Sequence, residues 1–173
     1  MPWLLVALIT SVVAAPGSRL PAPDLHQEIF DRTLALVGGQ AITLSDVRAA
    51  IELALVEPPT TNVSEMTARL VDRELILREV QRYAPPAPAE TAVEARLAEI
   101  TRRFASPVAL MKVLETHGFS EARLRAWVRD DVRSDGYLAQ RFASAGTPER
   151  RRELVVDWLS DLRRRTDVVI LPQ

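Results

Sequence analysis

Two histidines, His26 and His117, are the chain's whole complement of imidazoles, and there is no cysteine. A metal centre needs imidazole, thiolate or carboxylate ligands gathered together. His26 falls in a proline-rich stretch, and His117 stands just before Gly118, where an imidazole at a helix end is favoured by the dipole. Covalent catalysis needs a nucleophile beside a positioned base, whereas the serines here stand at helix starts and turns. Asp130 and Asp131 form a carboxylate pair, but neighbours along a helix point to different sides of it, so the pair reads as a solvated face. The arginine runs 150–152 and 163–165 are interleaved with Glu149, Glu153, Asp157 and Asp161, the pattern of a surface charge lattice. Gly38 and Gly39 lack the third glycine and the lysine of a phosphate loop. The expectation is no catalytic, cofactor-binding or metal-ligating residue, and no cofactor.

What the sequence does specify is a scaffold. Residues 119–142 read as one long helix around which the chain is organised. Ser120 is its N-cap, and Phe119 with Leu124 is spaced as a hydrophobic staple. Leu124, Trp127, Val128, Val132, Leu138 and Phe142 recur at helical intervals. Upstream, residues 32–42 read as a hairpin turning on Gly38 and Gly39. Thr43, with Asp46 three residues on, caps a helix that Pro58 and Pro59 end. A helix starting at Asn62 or Ser64 runs to about Tyr83 and carries Met66, Leu70, Leu77 and Val80. A third covers 90–104 with Val93, Leu97, Ile100 and Phe104 as its stripe. Ser106 and Pro107 open a fourth that Gly118 stops. Thr147 and Pro148 open the last, with Leu154, Val155, Trp158, Leu159 and Leu162 on one face.

Residues 167–171 (DVVIL) are β-prone, and a lone strand needs a partner. The hairpin at 32–42 is the other β signal, so the C-terminus is expected to return to it. The predicted fold is mainly α, about six helices with a small sheet formed by an N-terminal hairpin and a C-terminal strand. With 173 residues, 47% hydrophobic and 26% charged, the composition is that of an ordinary globular domain. A formal net charge of -1 supplies no field for nucleic acid or anionic lipid.

Residues 4–15 (LLVALITSVVAA) are an apolar run too short to span a bilayer and ending in small residues, as a secretory signal does. The expected organisation is a signal peptide over 1–15, a proline-rich linker over 16–31 and one domain over 32–173. The mature chain is expected in the periplasm or the medium, without stable membrane insertion. Residues 109–128 resemble a DNA-binding helix-turn-helix. Glu121, Asp130 and Asp131 near the would-be recognition helix, the neutral charge and the export signal weigh against it, so no nucleic-acid partner is expected.

Taken in order, the elements resemble the SurA family of periplasmic chaperones. RTLALVGGQAITLSDV (32–47) is similar to that family's opening strand, turn and helix start. LVDRELILREVQRY (70–83), VEARLAEITRRF (93–104) and LETHGFSEARLRAWVRDDVRSDGYLAQRF (114–142) are similar to its helices, with a Gly-x-Ser turn before the long one. VVDWLSDLRRRTDVVIL (155–171) looks like its closing helix and strand. Family members with isomerase activity carry parvulin domains between the long helix and the closing one. Here that junction is 143–148, so peptidyl-prolyl isomerase activity is not expected. The resemblance implies a chaperone core whose apolar groove holds unfolded or nascent outer-membrane proteins; the peptide-binding residues are unknown. The broad apolar faces over 66–80 and 97–104 are groove candidates and equally core candidates, with Pro58, Pro59 and 85–88 as flanking loops. The alternative is a dedicated assembly subunit with the same fold.

Overall fold

A computed structural model describes residues 31–172 of the chain. The expected signal peptide, nearly all of the linker, and His26 lie outside the described residues. Two strands open the fold, β1 (Thr33–Val37) and β2 (Gln40–Thr43), followed by α1 (Leu44–Glu52), α2 (Val63–Tyr83), α3 (Glu90–Thr101), α4 (Pro107–Thr116) and α5 (Glu121–Arg141). A short 3-10 turn at Ala143–Ala145 leads into α6 (Pro148–Arg165), and β3 (Val168–Ile170) closes it. The fold is mainly helical with one small sheet, as the sequence predicts.

The sheet is antiparallel with β1 in the middle, in the order β2-β1-β3. Gly38 and Gly39 turn the hairpin with φ of 53° and 87°, values that cost a side-chain-bearing residue dearly. A Cβ on Gly38 would also lie 2.5 Å from the Arg78 guanidinium carbon of α2. Val168 pairs with Val37 and Ile170 with Ala35, and Leu171 N–H donates to Leu34 O at 2.9 Å. The C-terminal strand therefore returns to the N-terminal hairpin, and the helices are an excursion between strands.

Side-chain caps start the helices at the positions the sequence marks. Thr43 and Asp46 make a reciprocal capping box. The side chains of Asn62, Ser106, Ser120 and Thr147 accept from the backbone N–H three residues on. Each such cap contributes about 1 kcal/mol. Two helices stop early: α1 ends at Glu52, well short of Pro58, and α3 ends at Thr101 rather than Phe104.

The organising helix is α2, not the long α5. It packs on α1, α5, α6 and both strands of the hairpin, while α5 packs mainly on α3 and α2. The reason is composition: Met66, Leu70, Val71, Leu75, Leu77 and Val80 of α2 are all buried. In α5, Leu124 and Val128 are buried, whereas Trp127, Val132, Leu138 and Phe142 only pack against the margin of the core. His117 caps the end of α4 and is buried, its Nε2 3.1 Å from Glu52 Oε2 but not directed at it as a hydrogen bond. Burial and a carboxylate neighbour, more than a helix dipole, define its surroundings.

Candidate binding groove

The face of α2 beside its buried stripe carries Arg69, Asp72, Arg73 and Ile76, at positions i, i+3, i+4 and i+7. The face of α5 turned toward it carries Asp131, Ser134, Asp135 and Leu138 at the same spacing. Residues so spaced lie on one side of a helix. The two helices run in the same direction side by side, since Arg73 of α2 meets Trp127 and Asp131 of α5 while Tyr83 meets Tyr137 one end further on. Between the two stripes opens a groove of about 580 Å³, completed by Leu55, Val56 and Pro58 from the segment after α1 and by Arg96 of α3. That volume lies in the ordinary range for ligand clefts.

Arg73 anchors the groove. Its Nε donates to Asp131 Oδ1 at 2.7 Å and its Nη2 to Trp127 O at 3.3 Å. Its guanidinium lies over the Trp127 indole at 3.6 Å from the ring centre, a cation–π contact strengthened by shelter from water. The side chains of Arg73 and Asp131 keep 17% and 28% of their surface exposed. Burial pushes the Asp131 carboxyl up to about 6, against the opposing pull of Arg73. Burial also raises Asp72, opposed by Arg163, and Asp135, opposed by Arg96. A carboxylate withdrawn from water holds its proton longer.

Several expectations need correction here. Asp130 remains exposed, but Asp131 does not belong to a solvated face: the twist of α5 turns it onto α2, where Arg73 takes it. Within the 163–165 run, Arg163 reaches across to Asp72 at 2.6 Å, while Arg164 pairs locally with Asp161. The apolar stretch 66–80 is mostly core, and Ile76 is its contribution to the groove. Leu97 belongs to a separate apolar cleft of about 400 Å³ with Leu110, Met111 and Leu114. Pro58 does flank the groove, whereas Pro85 and Pro86 line a different hollow beside Tyr83, Tyr137 and Arg141. The signal that marks the groove in the sequence is the pair of polar i, i+3, i+4, i+7 stripes beside the apolar ones.

The polar groups of the groove are mostly engaged. Its serine has no hydrogen-bond partner among the described residues, and its carboxylates are either engaged by arginines or at the rim. Among the described residues no group of three His, Asp or Glu side chains is placed to hold a metal ion, and no helix is long and apolar enough to cross a membrane. What the groove can do is bind: it combines an apolar floor with fixed charges of both signs. No protein-family model matches this chain, and no curated protein matches it.

Proposed function

We propose that the chain is an exported, SurA-like chaperone core that holds extended segments of unfolded outer-membrane proteins, with the groove between α2 and α5 as the holding site. The observation that carries this reading is the open groove itself. Leu55, Val56, Ile76 and Leu138 offer apolar surface to a client, while charged side chains around them keep that surface from meeting itself in a second molecule. The element order and the return of β3 to the hairpin agree with the resemblance noted in the sequence. The junction between α5 and α6 is one 3-10 turn, too short for a parvulin domain, so the proposed function is holding without isomerisation. In the helix-turn-helix alternative the first turns of α5 would face DNA. Here Arg125 is paired with Glu90 and Glu94 of α3 and Arg123 with Asp46, which favours a packing role.

One observation favours the second reading, a subunit dedicated to a single partner. β3 is an outer strand of the sheet, with Val169 and Ile170 exposed at 41% and 56%. Exposed strand edges recruit partner strands.

The test is titration of the purified chain with a denaturant-unfolded outer-membrane β-barrel protein, and in parallel with a folded soluble protein. Trp127 fluorescence, read in a Trp3→Phe and Trp158→Phe background, reports on the groove through Arg73. Micromolar binding to the unfolded client alone, with its aggregation suppressed, is expected. Absence of binding to every unfolded client sinks the chaperone reading; tight one-to-one capture of a folded partner replaces it with the dedicated subunit.

A further inference from the structure

The charges around the groove do not balance. Glu57, Asp72, Asp131 and Asp135 line it against Arg69, Arg73 and Arg96, four carboxylates to three guanidiniums. Each guanidinium is already engaged: Arg73 by Asp131, Arg69 by Glu65 and Pro58 O, Arg96 by Glu99. From outside the groove, Arg163 takes Asp72 and Arg103 takes Glu57. With those outer partners included, five guanidiniums stand against six carboxylates. The carboxylate without an ion pair among the described residues is Asp135, whose one opposing charge, Arg96, is bonded to Glu99.

A second, independent observation lies beside it. Ser134 is 8% exposed, and its Oγ has no hydrogen-bond partner among the described residues. A buried hydroxyl without a partner is costly, and native structures seldom leave one so without a reason. Ser134 lines the same groove, adjacent in sequence to Asp135 and one helical turn before Leu138. The groove thus presents an unpaired carboxylate at its rim and an apolar wall of Ile76, Leu138 and Val56, with the unsatisfied Ser134 hydroxyl, an N–H acceptor, closed off from bulk water beside them. A simple cation would use the first of these alone. A long basic side chain uses all three, because its methylene stem covers apolar surface while its head donates to oxygen.

We propose that the groove contains a subsite for an arginine or lysine side chain of an extended peptide, seated with its head at Asp135 and Ser134 and its stem along Ile76 and Leu138. This rests on the holding function proposed above and adds the class of segment that is held: basic residues flanked by apolar ones.

The experiment compares two fluorescently labelled short peptides of identical apolar sequence, one with a central arginine and one with citrulline, its neutral isostere. Both are titrated by anisotropy against the purified chain and against Asp135→Asn, a rim substitution that breaks no ion pair. A companion variant, Ser134→Ala, removes the hydroxyl without adding bulk. Loss of the charge is expected to weaken binding to the unaltered chain about fivefold or more, in the range for a partly exposed charge pair, and to change nothing in Asp135→Asn. Ser134→Ala is expected to weaken the arginine peptide, and the citrulline peptide, which keeps N–H donors without the charge, by less. Equal affinity of the two peptides for the unaltered chain overturns the subsite and leaves the holding function standing. Failure of both peptides to bind, in a chain that still holds the unfolded β-barrel protein, overturns the subsite as well. Failure of the unfolded protein to bind too removes the holding function with it. Spermidine is the remaining arm: displacement of the arginine peptide at micromolar spermidine assigns the site to free polyamines and overturns the peptide proposal.

Discussion

Two arginines lie over tryptophan rings on opposite stretches of α5, and their surroundings differ in kind. Arg73 sits 3.6 Å from the centre of Trp127, hydrogen-bonded to a mostly buried carboxylate. Arg141 sits 5.1 Å from the centre of Trp158, with Tyr83, Tyr137 and Phe142 also within about 6 Å of it, and donates to Tyr137 Oη rather than to any carboxylate. Around Arg141 the rings pack on one another: Tyr137 with Trp158 at 6.3 Å, Phe142 with Trp158 at 5.8 Å. There the arginine is a lid over an aromatic cluster that would hold without it. Around Arg73 the arginine is the joint, bonded to Asp131 and lying over Trp127 where α5 faces α2. One end of the α2–α5 pair is therefore cemented by rings and the other is wired by charge, and the groove opens at the wired end.

The largest effect is expected where the rings are broken. Trp158 is buried and touches the cluster from α6, so Trp158→Ala should cost about 3–5 kcal/mol, as large-to-small core substitutions do. Denaturant unfolding followed by far-UV circular dichroism measures this. If the comparison holds, peptide affinity of the still-folded fraction stays near that of the unaltered chain. A cost under about 1 kcal/mol would mean that the cluster does not hold α6 to the body.

Arg73→Met should come next. Removing one partner of a fully buried ion pair costs about 3–5 kcal/mol, and the partial exposure of Asp131 lowers the expectation to about 2 kcal/mol. The distinguishing feature is pH. Asp131 stripped of its guanidinium takes up a proton more readily still, and once protonated it no longer needs a cation. The deficit measured at pH 7 should shrink at pH 5. A deficit equal at both values would show that the variant suffers from lost packing on Trp127 and not from the orphaned carboxylate.

These two ends were unequally legible in the sequence. Phe142 and Trp158 stand on apolar stripes, the caps follow from rules that act over a few residues, and the β3 return follows from the need of a lone strand for a partner. The caps and the return appear as expected. Asp131 obeys no such local rule. Adjacent to exposed Asp130 and set among arginines, it has the sequence appearance of any solvated acid, and what buries it is Arg73, 58 positions earlier. The hub is a mixed case: the stripe of α2, widened by Val71, Leu75 and Ile76, marks a central helix, but periodicity does not show that the hairpin packs on it and not on α5. Pairing across the fold is set by what packs where, and a single chain's periodicity records only which face is apolar.

The Asp131 carboxyl, at about 6 against an ordinary 3.8, gives the wired end its own pH signature. Between those values the folded chain keeps a proton that the unfolded chain has released. Stability from this group is therefore present in full below about pH 4, is lost as pH rises towards 6, and stays lost at pH 7. Roughly two pH units at about 1.4 kcal/mol each set a ceiling, and access to water brings the expected change to about 1–2 kcal/mol. Asp72, Asp135 and Glu74 are raised by burial and act in the same direction, whereas Glu65, lowered by its bonds to Thr60 and Arg69, acts in the opposite one. Unfolding midpoints collected from pH 4.5 to 7 should rise as pH falls, and Asp131→Asn should remove the largest share of that slope. An unchanged slope in Asp131→Asn would assign it to the other carboxylates.

The smallest effect is expected at Arg141. Its side chain is exposed and lies at the outer limit for a cation–π contact with most of its rings, so Arg141→Ala should cost only about 0.5–1 kcal/mol. Because no carboxylate among the described residues is paired with it, that cost should be the same at pH 5 and pH 7, in contrast to Arg73→Met. The difference between the two arginines lies less in the size of the deficits than in their pH dependence. A pH-dependent deficit in Arg141→Ala would mean that an acid of the neighbourhood leans on it. A flat deficit leaves the aromatic end as plain adhesion and places the chain's titratable behaviour at the groove.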